Sequence, residues 1–126
     1  GEQQRVQLAR VLCQVWAPVL EGAPRYLLLD EPVSSLDIRH QLAVMDIARD
    51  FARRGGGVVA VLHDLNLTAM YADQVAVMHR GRLTAYGAPA AVLVDSVLER
   101  VFDCRLRVGA LPPAGAPFFL PQSASV

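Results

Sequence analysis

Two short, continuous apolar runs stand out along the chain, Tyr26–Leu29 and Val58–Leu62. A run of this length without polar alternation is typical of a strand buried on both faces in a parallel sheet. The first run leads into Asp30, Glu31 and Pro32, and a proline cannot donate to a central ladder. We therefore predict two buried strands, the first of which ends at the acidic pair.

The segment between these strands has the pattern of an amphipathic helix from Ile38 to about Arg54. Its apolar residues recur at three- and four-residue spacing, namely Val44, Ile47, Ala48 and Phe51, with Leu42 and Met45 beside them. Asp37 can cap the start of this helix, and the glycine run 55–57 ends it. A strand, a helix and a second strand at this spacing form a βαβ unit, so the predicted fold class is α/β.

Outside this unit the pattern predicts shorter elements. They are a helix over Gln3–Val15, a loop over Ala17–Arg25, a short helix over Asn66–Tyr71, a hairpin of Gln74–His79 with Leu83–Tyr86 around Arg80-Gly81, and short helices over Pro89–Leu93 and Ser96–Phe102. Ser96 is a candidate cap for the last helix. From Gly109 the chain is rich in Pro, Ala, Gly and Ser, which predicts a loosely ordered tail that Phe118–Leu120 could tether to the body.

The two predicted strands end at the same edge of the sheet, because the strands of a βαβ unit run parallel. His63 follows the second strand, so we expect it near Asp30 and Glu31. Open parallel sheets bind their ligands outside the carboxyl ends of the strands. Adjacent side chains there point in opposite directions, so one carboxylate could hold a metal and the other accept a proton. The alternative is an ordinary strand that ends in a charged turn.

Composition narrows the classes of function. A chain of 126 residues, 53% of them hydrophobic, predicts one globular domain. The net charge of zero gives no steering towards nucleic acid, and no apolar run has the length of a membrane helix. Cys13 and Cys104 lack metal-ligand spacing and are expected to be reduced. All twelve basic residues are arginines, so a P-loop, which needs a lysine, cannot be present.

Four motifs, in this order, resemble those of the ATP-binding cassette (ABC) ATPases of transporters. Gly1-Glu2-Gln3-Gln4-Arg5 is similar to the end of the signature motif, Tyr26–Asp30 with Glu31 to the Walker B strand and catalytic glutamate, Ser34–Asp37 to the D-loop, and His63 to the switch histidine. The likeness runs from Gly1 to about Val108. It implies the C-terminal part of a P-loop NTPase cassette, with parallel strands, flanking helices, a small β-hairpin and short C-terminal helices. Residues 1–108 would then be ATPase domain and residues 109–126 a Pro/Ala-rich tail.

The resemblance implies a role for each residue near the sheet edge. Glu31 is implied to be the general base, or the group that orients the attacking water. His63 is implied to hydrogen-bond the γ-phosphate of ATP. Asp30 is implied to hold Mg²⁺ through water, because Mg²⁺ keeps several of its own water ligands.

Other matched residues are implied to act between two subunits. Gly1, Glu2 and Gln3 would face the ATP bound by the partner subunit, at the positive end of a helix. Ser34 and Asp37 would lie at the subunit interface, although Asp37 can equally be a plain helix cap. His40 and His79 are expected to be surface residues without a role.

The residues around the D-loop and switch histidine are similar to the importer branch for iron chelates, vitamin B12 and haem, and most similar to haemin import ATPases. This resemblance implies a homodimer that uses ATP and Mg²⁺, integral-membrane permease subunits and, indirectly, a periplasmic substrate-binding protein. It also implies a place at the cytoplasmic face of the bacterial inner membrane, with no nucleic-acid partner. The alternatives are a ferric-siderophore or cobalamin importer ATPase, a non-transport ABC ATPase, and a truncated, non-catalytic piece.

Overall fold

The computed structural model describes residues 17–125 and, before them, six separate residues: Glu2, Gln3, Val6, Ala9, Arg10 and Cys13. These six are helical and exposed, in agreement with the predicted N-terminal helix, whose other residues lie outside the described part. The backbone divides into two compact units, residues 1–63 and 64–125. The predicted end of the ATPase domain at residue 108 stays a prediction, because the compact units describe how the backbone packs and not where a functional domain ends.

The first unit contains the predicted βαβ arrangement. Its elements are β1 (Val19–Leu20), β2 (Ala23–Pro24), β3 (Tyr26–Asp30), α1 (Ile38–Arg53) and β4 (Gly57–Val61). Strands β3 and β4 pair in parallel, in a register that sets Tyr26 opposite Gly57 and Asp30 opposite Val61. The prediction of two parallel strands joined by a helix is therefore confirmed.

The core of this unit lies on one face of the β3–β4 pair, under α1. Leu27 and Leu29 of β3 pack with Ala48 and Phe51 of α1. The prediction that the strands are buried on both faces is wrong for both strands: Leu28 of β3, between the two buried leucines, is 74% exposed, and Val59 and Val61 of β4 are exposed too. Because side chains alternate along a strand, the residues that do not face α1 lie on the opposite face of the sheet. That face exposes an apolar group formed by Tyr26, Leu28, Val59 and Val61.

The loop predicted for residues 17–25 contains a small antiparallel hairpin instead. Strands β1 and β2 pair across a two-residue turn whose central residues, Glu21 and Gly22, have φ angles of 51° and 79°. Two successive positive φ angles suit the right-handed twist of a tight hairpin. The turn is closed at its base by Arg25, whose N–H donates to the Pro18 carbonyl at 2.7 Å.

Helix α1 ends, as predicted, at the glycine run. Gly55 has a φ of 99°, which a residue with a side chain adopts only at a cost, and Gly56 N–H donates to the Phe51 carbonyl. A β-carbon on Gly56 would lie 2.3 Å from the Phe51 ring. One detail of the predicted helix was wrong: Ile47 is exposed, while Leu42 and Met45 are buried.

The second unit has the predicted order of short elements. They are α2 (Leu65–Tyr71), the hairpin of β5 (Val75–His79) and β6 (Arg82–Gly87), α3 (Pro89–Val92), α4 (Asp95–Phe102) and a 3₁₀ turn (Pro121–Ser123). Leu67, Val75, Val92 and Leu98 are its buried apolar residues. Among the described residues, none of the helices is long and apolar enough to span a membrane.

The predicted cap of α4 was wrong. Ser96 does not cap α4, because the helix begins one residue earlier and Val94 is its N-cap residue. Within the predicted tether, Phe119 is 85% exposed, whereas Phe118 and Leu120 are about half covered, so the tether by Phe118–Leu120 stays a prediction. The 3₁₀ turn contacts α2, and the Gln122 side chain donates to Asn66 Oδ1 at 3.3 Å.

Replacing Gly56 with alanine is expected to lower the free energy of unfolding by about 1–3 kcal/mol, because the added methyl group would overlap the buried Phe51 ring. Urea or thermal unfolding measures the change. The control is the same substitution in a Phe51→Leu background, where the missing ring should reduce the cost. An equal cost in both backgrounds would contradict the packing explanation.

Candidate functional site

The closest side-chain contact at the sheet edge joins Glu31 and His63. His63 Nε2 lies 2.6 Å from Glu31 Oε1, which is a hydrogen bond between residues 32 positions apart in the chain. The Glu31 side chain is 46% exposed and the His63 side chain is 77% exposed, so solvent reaches both groups. The predicted proximity of these two residues is confirmed. An exposed carboxylate held by an imidazole is suited to accept a proton from a bound water.

The parallel register explains why these two side chains meet. Glu31 directly follows β3, and its N–H donates to the Val61 carbonyl at 3.0 Å, which extends the ladder one residue beyond the strand. His63 comes two residues after Val61, on the neighbouring strand. Both side chains are therefore delivered to the carboxyl-terminal edge, where ligands of such sheets bind.

Glu31 also has an unusual backbone. Its φ of 47° lies in the left-handed region, which costs roughly 1–2 kcal/mol for a residue with a β-carbon. Ser35, four residues later, has a φ of 63°. Two such residues in one short loop indicate that the surrounding contacts impose its shape, as is typical of functional loops.

Asp30 is the last residue of β3 and its side chain is exposed. A single free carboxylate at a ligand-binding edge fits Mg²⁺, which commonly takes one or two carboxylates and completes its octahedron with water and phosphate oxygens. Among residues 17–125 and the six described before them, no group of three or more His, Cys, Asp or Glu residues could enclose a metal.

The loop 31–37 carries the two other predicted residues, Ser34 and Asp37. The Ser34 N–H donates to the Glu31 carbonyl at 3.2 Å, and the Leu36 N–H donates to the Val33 carbonyl at 3.2 Å. Val33 is buried, whereas Ser34 and Asp37 are exposed. The loop is thus pinned by one apolar side chain and presents its polar residues to solvent.

Asp37 caps α1 as the sequence predicts. Its Oδ1 accepts a hydrogen bond from the His40 backbone N–H at 2.9 Å. The same oxygen lies 2.5 Å from Nδ1 of the His40 ring, a contact that sequence reasoning missed when it treated His40 as a surface residue. The available signal was the three-residue spacing between a capping acid and a histidine in the first helical turn.

The residues matched to the signature motif are only partly described. Glu2 and Gln3 are helical and exposed, while Gly1 lies outside the described residues together with Gln4 and Arg5. Their predicted role at a partner's nucleotide stays a prediction.

Glu31→Gly is expected to be more stable than Glu31→Ala by about 1 kcal/mol, because glycine tolerates the left-handed backbone and both variants lose the same carboxylate. Urea unfolding of the two variants measures the difference. Glu99, within α4, is the matched control, since there alanine should be the more stable by about 1 kcal/mol. The same order at both positions would argue against a strained Glu31.

Curated relatives match this chain along nearly all of its length. Hemin import ATP-binding protein HmuV of Mesorhizobium japonicum is 76% identical over 123 residues, which are 98% of this chain and 47% of that protein. The proteins of the same name from Chelativorans sp. and Rhizobium meliloti are 68% and 66% identical over 126 residues, 48% of each protein. The chain thus spans about half the length of the curated relatives it matches. No family model matches it.

Solved structures agree on the fold. The chain superposes with a TM-score of 0.66 on an ABC transporter of the metal-chelate type, at 22% identity over 82% of this chain and 38% of that one. Part of CbiO1 from Clostridium perfringens, from the ABC transporter complex CbiONQ, gives a TM-score of 0.50 at 29% identity, over 61% of this chain and 31% of that one. The predicted α/β class and the resemblance to ABC transporter ATP-binding proteins are confirmed.

Proposed function

From a chain that is similar along its whole length to ABC transporter ATP-binding proteins, we propose that the intact protein is the ATP-hydrolysing subunit of a haemin importer. The observation that carries the ATPase part is the Glu31–His63 contact at the carboxyl edge of two parallel strands. The cargo rests on the relatives alone, because nothing at this edge recognises haem.

Glu31 acts as the general base in this proposal. Its exposed carboxylate accepts a proton from the water that attacks the γ-phosphate, or holds that water in line. His63 donates to the Glu31 carboxylate, which fixes the direction of that group, and can turn its ring to the γ-phosphate when nucleotide is present.

Asp30 holds the metal in this proposal. Mg²⁺, when bound, neutralises charge on the phosphates, and Asp30 would reach it through a water. Asp30 ends β3 and Glu31 leaves the strand with a left-handed backbone, which supports different tasks for the two acids.

The exposed polar residues of the loop 31–37 and the absence of lysine support the proposed subunit arrangement. The 126 residues contain no P-loop, so the phosphate cradle belongs to a part of the protein outside them. In the proposed homodimer, Gly1, Glu2 and Gln3 face the nucleotide of the partner subunit, while Ser34 and Asp37 lie at the interface. We further propose that this dimer binds the integral-membrane permease subunits at the cytoplasmic face of the inner membrane. The periplasmic substrate-binding protein would be an indirect partner.

The cargo alternatives differ in support. The name "hemin import" on three relatives of at least 66% identity favours haemin over a ferric siderophore or cobalamin. A non-transport ABC ATPase has no such support. A truncated piece without catalysis is the remaining alternative, and the activity of the two chain lengths below tests it.

Glu31→Gln in the full-length protein is expected to lower kcat for ATP hydrolysis at least about 100-fold while ATP binding persists, because the amide cannot accept the proton. Phosphate release and nucleotide binding are measured separately. Glu21→Gln, in the exposed β1–β2 turn, is the matched control and should leave both unchanged. An undiminished kcat in Glu31→Gln would mean that another group serves as the base.

The 126-residue chain on its own is expected to hydrolyse ATP only at the background rate, since it has no lysine for a P-loop. The full-length protein, assayed at the same concentration, is the control and should turn over. Equal activity of the two would show that the missing phosphate cradle is not needed.

A further inference from the structure

The loop 31–37 contains two residues with left-handed backbones, Glu31 and Ser35, so its shape has to be held from outside. One anchor is the buried Val33 side chain. Two further anchors come from consecutive residues in the first turn of α1, His40 and Gln41. The first turn of α1 therefore also holds the loop 31–37 in its conformation.

His40 makes more contact with Asp37 than a helix cap needs. A cap requires one backbone N–H on the side-chain oxygen, and the His40 N–H supplies it at 2.9 Å. The His40 ring adds Nδ1 at 2.5 Å from the same oxygen. Two donors on one oxygen restrict rotation of the carboxylate, so Asp37 is held in one direction although its side chain is 64% exposed.

Gln41 holds the loop at a second point. Its side-chain Nε2 donates to the Val33 carbonyl at 3.4 Å, and its backbone N–H donates to the Asp37 carbonyl at 2.9 Å. Val33 lies between the strained residues, two positions after Glu31. The first turn of α1 thus hydrogen-bonds to the loop at Val33, in its middle, and at Asp37, at its end.

We propose that His40 is a positioning residue that aims the Asp37 carboxylate across the dimer interface. The inference rests on the proposed function, in which Asp37 meets the partner subunit. In this proposal His40 acts through Asp37 and not by touching the nucleotide. Its side chain is 32% exposed, so most of the ring is covered within the chain itself.

The test measures ATP-dependent dimerisation of the full-length protein in a Glu31→Gln background, by sedimentation over a range of protein concentrations. His40→Ala should raise the dimer dissociation constant about tenfold, because the Asp37 carboxylate is no longer held in one direction. Monomeric ATP binding should not change. His79→Ala, at the end of β5, is the neutral control.

Two conservative variants separate positioning from general structure. The side-chain amide nitrogen of His40→Asn lies close to where Nδ1 was, so this variant should recover most of the dimerisation. His40→Gln places its amide nitrogen near Nε2 instead, and should remain weakened. In an Asp37→Ala background, His40→Ala should have no further effect, since the two residues act as a unit.

The outcomes distinguish the inference from the proposed function. If the Glu31→Gln parent forms no dimer with ATP, the proposed function and this inference both fall. If the parent dimerises and His40→Ala dimerises equally well, the inference alone is overturned. Equal weakening by His40→Asn and His40→Gln would also overturn it, because the Nδ1 contact would then not be the cause.

Discussion

The parallel pairing of β3 with β4 is the constraint on which the rest of the site depends. The register aligns Asp30 with Val61. Glu31, one residue after Asp30, and His63, two residues after Val61, therefore emerge at the same edge of the sheet. A slip of one residue would turn every side chain of β3 to the opposite face. Leu27 and Leu29 would then lose their contact with Phe51, and Glu31 would lose His63. Packing of the core and assembly of the site are thus secured by the same register.

The loop after β3 shows how strain is tolerated beside a rigid element. Glu31 and Ser35 both adopt left-handed backbones, and the loop between them is held by the buried Val33 and by α1. The helix is in turn packed into the core through Phe51, which is almost fully buried. The cost of the strained residues is therefore met by contacts that the fold makes in any case. A loop held in this way keeps its polar groups oriented.

Much of the first unit could be predicted because its signals are long. Two apolar runs and an amphipathic pattern of 16 residues specify strand, helix and strand, and parallel topology alone brings Glu31 to His63. The β1–β2 hairpin was missed because a two-residue strand is too short to show periodicity. The exposure of Leu28 was missed because an apolar run predicts a strand but says nothing of what covers each face.

The finer features of the site depend on rotamers and backbone angles, which composition does not carry. Asp37 as a cap follows from its position, but the second contact from the His40 ring depends on how that ring is turned. The left-handed φ of Glu31 has no signal in its residue type, since glutamate has no preference for that region. Ser96 has the chemistry of a cap, yet Val94 holds the position, because the fold starts the helix earlier.

The exposed apolar face of the β3–β4 pair affects the solubility of this polypeptide. Within the part of the chain that the structure describes, each of the two strands has one hydrogen-bonded neighbour, so each offers a further row of backbone donors and acceptors beside exposed tyrosine, leucine and valine side chains. Such a combination is a template for further strand addition. A preparation of these 126 residues should therefore become turbid as it is concentrated, and a binding partner or a polar substitution at Leu28 would be the means of keeping it clear.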